Sequence, residues 1–158
     1  MEFVIQAFLI GIIATIGVDI WAAVVKHGFR LPTANWGLVG RWFGHFPRGV
    51  FFHDPVASSP AIPHELAIGW VAHYCIGIVY AVAYLGVVQF VFSASPTLVS
   101  ALVFGMVTLV APWLIMQPGM GAGAFASRTP RPGLIRLVNL TMHVTYGACL
   151  YIGWLLVR

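Results

Sequence analysis

Three ionisable side chains stand inside otherwise apolar stretches of this 158-residue chain: Asp19, His73 and His143. Titratable groups are costly in such surroundings, so a functional role is the first hypothesis for each. A carboxylate and two imidazoles can pass a proton, hold a metal ion with Asp19, His73 and His143 as ligands, or receive a small polar ligand. His73 and His143 could instead be the axial ligands of a haem. The competing reading is structural, an Asp–His hydrogen bond that pins helices together.

Their spacing puts the three at one level. Asp19 lies seven residues before Lys26, His73 eight after Glu65, and His143 seven after Arg136. At the rise of an α-helix each is roughly 9–12 Å from its charged neighbour. Each also sits on a stripe of small or polar residues at four-residue spacing: Gly11, Thr15, Asp19 and Ala23; Gly69, His73, Gly77 and Ala81; Asn139, His143 and Gly147. Small residues in this pattern let membrane helices approach closely, so the three groups are expected to face a bundle interior. A further apolar run contributes Pro112, which predicts a kink, and Gln117, whose amide could close the mouth of a polar pocket.

A second set lies between the apolar runs. Arg41, His45, Arg48, His53, Glu65 and Arg128 are candidates for capping that pocket or for contacts with lipid head groups. The stretch Thr33–Phe46, TANWGLVGRWFGHF, puts Trp36, Val39, Trp42 and Phe43 on one side of a helix. It predicts a short amphipathic helix lying on the membrane surface. His45, His53 and His64 match no tight ligand spacing and read as scattered surface histidines. The segment QPGMGAGAFASRTPRPG contains neither GxGxxG nor a Walker loop, and no strand precedes it, which argues against nucleotide binding. Ser127, Arg128, Arg131 and Arg136 could hold a phosphate. A lipid-modifying enzyme could use His and Asp for acid–base work, but no known catalytic motif supports one.

The elements that must position these residues follow from composition. The chain is 60% hydrophobic and 8% charged, against about 25% charged in soluble domains. The bilayer is therefore the expected solvent for most of the surface, and the net charge of +4 points to topology and anionic head groups, not to nucleic acid. Apolar runs span about 3–25, 66–92, 98–116 and 137–157. Each is near the roughly 20 residues that cross hydrocarbon as a helix. The expected fold is all-α: a single domain over 1–158, a membrane four-helix bundle with a long loop between helices one and two. The first run lacks a basic leader and reads as an uncleaved helix. Cys75 and Cys149 lie in apolar runs and read as small buried hydrophobes.

Loops one and three carry seven of the eight basic residues. The positive-inside rule puts both in the cytoplasm and both termini on the periplasmic side, with only Met1-Glu2 to translocate at the start. Trp21, Trp70 and Trp113 sit near the cytoplasmic ends of their runs and Trp154 near the outer end, as an interfacial belt would. The expectation is thus a multi-pass protein of a bacterial inner membrane that binds or transports a small ligand, proton or metal ion. The alternative is a haem-binding or assembly subunit of a membrane complex. A homodimer would supply the helices that four spans lack for alternating access.

Several short segments are distinctive: Gly17-Val18-Asp19-Ile20-Trp21, Asn35-Trp36, Gly40-Arg41-Trp42-Phe43-Gly44-His45, Pro47-Arg48-Gly49, Gly69-Trp70-Val71-Ala72-His73-Tyr74, Met116-Gln117-Pro118 and Ala126-Ser127-Arg128-Thr129-Pro130, with His143. On these the chain resembles, over nearly its whole length, a family of small four-span bacterial inner-membrane proteins known as a domain of unknown function. The resemblance implies a four-span fold. It implies no established activity and no catalytic roles.

Overall fold

Apolar runs of this length can satisfy their backbone in hydrocarbon only as helices, and four such helices form. The computed structural model describes Phe3–Arg158 and contains no strand among these residues. The tail Met1-Glu2, expected on the outer side, lies outside the described residues. The long helices run Phe3–Gly28, Glu65–Val91, Leu98–Gly119 and Pro132–Val157. The fourth begins five residues before its apolar run, because Pro132 takes the first helical position, where no backbone donor is missed.

Three of the four helices carry a wider, π-type turn. Helix α1 (Phe3–Ala23) continues into one over Val24–Gly28. Helix α3 (Glu65–Gly86) continues into another over Val87–Val91. The third span is the most interrupted. Helix α4 (Leu98–Val107) stops at Thr108, a wide turn covers Pro112–Met116, and the short α5 (Gln117–Gly119) follows. Pro112 has no N–H to offer the Thr108 carbonyl four residues back, and that loss breaks the helix where the sequence predicts a kink. Upstream, α4 is well started: Thr97 accepts from the Ser100 amide at 3.1 Å, and Ser100 accepts from the Thr97 amide at 3.0 Å. The last helix is α6 (Pro132–Val157).

Contacts divide the chain into two compact units. The first comprises Met1–Leu31, Tyr74–Thr108 and Leu140–Arg158. Its core holds Ile10, Ala14, Ala81, Tyr84, Leu85, Ala101 and Leu150. The small-residue stripes work as expected here. A methyl group on Gly11 would lie 2.7 Å from the Ile78 Cα, and one on Gly77 would strike the Thr15 hydroxyl. A methyl on Gly147 would lie 2.6 Å from the Ala101 carbonyl oxygen. Helix backbones therefore meet with nothing between them. The outward side chains stay apolar: Val99 and Leu156 are each 71% exposed. A surface like that is suited to lipid.

The second unit comprises Pro32–His73 and Leu109–Asn139. The expected amphipathic helix is present as α2 (Trp36–Gly44), started by Asn35, whose side chain accepts from the Leu38 amide at 3.2 Å. Its apolar face is not laid on lipid. Val39 and Trp42 are buried, and a Cβ on Gly40 would overlap the Glu65 carbonyl, as one on Gly69 would overlap that of Trp36. The glycine pair brings α2 directly onto the first turns of α3. The rest of the long loop is fixed by backbone pairing: the His53 amide donates to the Gly119 carbonyl at 2.9 Å and the Val56 amide to that of Met120 at 3.0 Å.

Candidate functional site

In the first unit polar pairs sit within the membrane-crossing helices, and two of them involve residues that the sequence singles out. The Tyr74 hydroxyl donates to the Asp19 carboxylate at 2.8 Å. The second pair forms where the third span breaks. The Thr108 hydroxyl donates to the Gly105 carbonyl at 2.6 Å, and its oxygen lies 2.8 Å from Nδ1 of His143. A hydroxyl has one hydrogen. With that hydrogen on Gly105, the Thr108 oxygen accepts and Nδ1 of His143 carries the proton, which leaves Nε2 the basic nitrogen of the neutral ring. The break at Pro112 and the placement of His143 are thus linked: the residue that caps α4 is the one that orients the imidazole.

His73 belongs to the second unit and has a different setting. Its ring lies 4.0 Å from that of Trp36, centroid to centroid and inclined by 31°, with Trp70 on another side at 5.8 Å. Among the described residues no group of three or more His, Cys, Asp or Glu side chains could hold a metal ion. Gln117 is buried and donates through Nε2 to the Asn139 side-chain oxygen at 2.8 Å. Its own amide oxygen is enclosed without a partner, as is the indole N–H of Trp113 one turn earlier.

The remaining candidates form the frame of loop one. Arg41 meets Glu65 through two parallel hydrogen bonds, Nε to Oε2 at 2.8 Å and Nη2 to Oε1 at 2.9 Å. Its third nitrogen reaches the carbonyls of Ala57 and Ser59, both at 3.1 Å. Glu65 also accepts from the Ile62 amide at 3.2 Å. One guanidinium therefore ties α2, the Pro-rich segment and the start of α3 together. The hydrogen bonds to Glu65 hold the Arg41 pKa above its ordinary value.

His45 and His53 are not the scattered surface histidines the spacing suggests. His45 is buried, with Nε2 3.0 Å from the Pro60 carbonyl. His53 has Nδ1 2.7 Å from the Ser59 hydroxyl, and its ring is 5.1 Å from that of His45. The two rings pack because the Pro-rich segment folds back over them. Burial, and secondarily the neighbouring His45, lowers the His53 pKa. His64 does remain exposed. Arg48 is exposed on the short turn Phe46–Arg48. Arg128 is exposed and lies 3.5 Å from Asp54. These two line an open cleft of about 580 Å³ with Phe52, His53, Pro118 and Ser127.

Sequence reasoning missed Tyr74, Thr108, Asn139 and Ser59 as partners. Tyr74 carried a signal, one residue past His73 and at the depth of Asp19, and so did Asn139, on the polar stripe with His143. Thr108 and Ser59 are ordinary polar residues whose partners lie elsewhere in the chain. Residues 8–157 match the model of a family described as a protein of unknown function, DUF2938, and the chain belongs to that family. No curated protein and no solved structure matches it significantly.

Proposed function

We propose that this DUF2938 member is a multi-pass membrane protein that binds, and passes across part of the bilayer, a proton or a small cationic solute. The observation that carries the reading is Asp19, a carboxylate inside a membrane-crossing helix and engaged by the Tyr74 hydroxyl. Ionisable groups at such depth mark ion and proton paths more often than they serve as filler. The His143 tautomer supports the same polarity. With Nδ1 committed to Thr108, both Asp19 and His143 present acceptors, which suits a ligand that donates hydrogen bonds or carries positive charge.

The orientation that fits the basic loops has loops one and three in the cytoplasm of a bacterial cell and both termini outside. Cysteines placed singly at Arg48 and Arg158 and labelled in whole cells with an impermeant thiol reagent test it. Only the second should react.

The functional test uses the protein in liposomes that enclose a pH-sensitive dye, under an imposed potential, and a thermal-shift panel of small amines and monovalent cations. Proton entry above that of empty liposomes, or a ligand that raises the melting temperature, is expected for the natural chain and should be lost in Asp19→Asn. The same flux and the same shifts in Asp19→Asn combined with Tyr74→Phe would sink the proposal. A second reading has its own support: the Thr108–His143 bond spans two helices at a proline break, which is where a structural pin would be useful. It assigns His143 to stability, so His143→Gln would lower the melting temperature and leave flux intact.

A further inference from the structure

We propose that the open cleft of the second unit seats the phosphate group of an anionic phospholipid, with Phe52 resting against the lipid's glycerol and upper acyl chains. The argument starts from an oddity of loop one. Val50, Phe51 and Phe52 form a run of three apolar side chains that are 40%, 49% and 76% exposed. A loop in water gains nothing from an open Phe-Phe pair. This loop is held at a defined depth. The Trp42 indole donates to the Phe51 carbonyl at 2.8 Å, and the His53 amide donates to Gly119, the last residue of the third membrane-crossing helix. Phe52 is therefore pinned from both sides at the level where a membrane helix ends, the zone of head groups and glycerol.

The polar wall of the same cleft has the matching chemistry. Ser127 and Arg128 line it together with Phe52. Arg128 offers the forked donors that fit a phosphate, and Ser127 a hydroxyl. The carboxylate of Asp54 also lines the cleft and contacts Arg128 at 3.5 Å, with both side chains largely exposed. That pair is long and solvated, so it holds the guanidinium weakly in place and leaves other donors of the fork unused. Asp54 also repels an anion, which sets a limit on affinity and makes a sharp test. A volume of about 580 Å³ is within the range of small-molecule sites. The charge of this unit has the right sign, with Arg41, Arg48, Arg128, Arg131 and Arg136 against Asp54 and Glu65.

The test uses the full chain purified in a neutral maltoside detergent. Phosphatidylglycerol, phosphatidylcholine and inorganic phosphate are added separately, and retained lipid is read by native mass spectrometry beside the melting temperature. Phosphatidylglycerol should be retained most and should raise the melting temperature. Arg128→Gln should weaken its retention about fivefold, the value of one basic residue near a charged surface. Asp54→Asn, which keeps the shape and removes the repulsion, should strengthen it. Phe52→Ser should weaken both lipids alike. Equal retention by the natural chain and Arg128→Gln, or a fall with Asp54→Asn, would overturn the proposal. Inorganic phosphate that protects as well as the lipid would overturn the lipid assignment in favour of a soluble phosphate ligand.

Discussion

The two units solve the same problem in different ways. In the first, helices are held by shape. Gly11, Gly77 and Gly147 bring backbones together, and polar contacts add to this, among them Tyr74 with Asp19, Thr108 with His143, and Tyr146 with the Gly77 carbonyl. In the second, a stretch with little regular structure is held by side chains that bond to backbone, with Arg41, Trp42, His45 and Asn35 each closing a part of the loop. Hydrocarbon offers no hydrophobic drive between helices, so close packing has to hold them. Outside it, irregular backbone must find partners for its carbonyls, and long polar side chains supply them.

The sharpest way to break the comparison is to enlarge the shape-held contact. Gly77→Val should destabilise the first unit by about 3 kcal/mol, since the new side chain meets Thr15 with no room to turn. Gly86→Ala is the control, with nothing within 4 Å of the added methyl. It should be neutral or stabilise by up to about 1 kcal/mol through helix propensity. Chemical denaturation in detergent reads both. Equal losses would mean that glycine matters here for flexibility and not for contact.

Arg41→Lys should come next, with a clear fall in melting temperature. A single ammonium cannot make two parallel bonds to Glu65 and still reach Ala57 and Ser59. Proteolysis between residues 50 and 63 should accelerate in the variant, while the membrane helices stay protected. Cleavage unchanged from the natural chain would show that the loop is held by α2 packing alone.

Tyr146→Phe tests whether a lone polar contact in the shape-held unit matters. It removes a 2.6 Å bond to the Gly77 carbonyl. Bonds of this kind between membrane helices contribute about 0.6 kcal/mol on average and up to about 1.7, so a small loss is expected, well below that of Gly77→Val.

The mildest effect should be the pH dependence of the loop. The folded state holds the His53 pKa below its ordinary value, so the unfolded chain binds the proton more readily. The contribution of His53 to stability is thus complete above the usual histidine value, about 6.5, and is lost as pH falls from there through the lowered value. His53→Gln should flatten the acid side of the melting curve. An unchanged slope would place the acid sensitivity elsewhere.

Much of the first unit was legible before any coordinates. Long apolar runs permit only helices, and the four-residue stripes named Gly11, Thr15, Gly77 and Gly147. The second unit was legible only locally, as at Pro112, which announced the break in the third span. The pattern of Trp36, Val39 and Trp42 gave a helix, but nothing local says that Gly40 and Gly69 meet. Arg41 and Glu65 are 24 residues apart, and a distant ion pair leaves no periodic trace. The histidines show the same limit. Their types hinted at chemistry, while their roles depend on Pro60 and Ser59, residues that read simply as turn formers.

The two backbone bonds that join His53 to Gly119 and Val56 to Met120 have a mechanical consequence. They act side by side, so load on the loop is shared between them and delivered straight to the end of a membrane helix. A rigid reporter grafted near Ser58, just past this clasp, would move with the helix and not swing on a tether. That makes the loop a natural handle for imaging a protein otherwise too small and too deeply embedded to align.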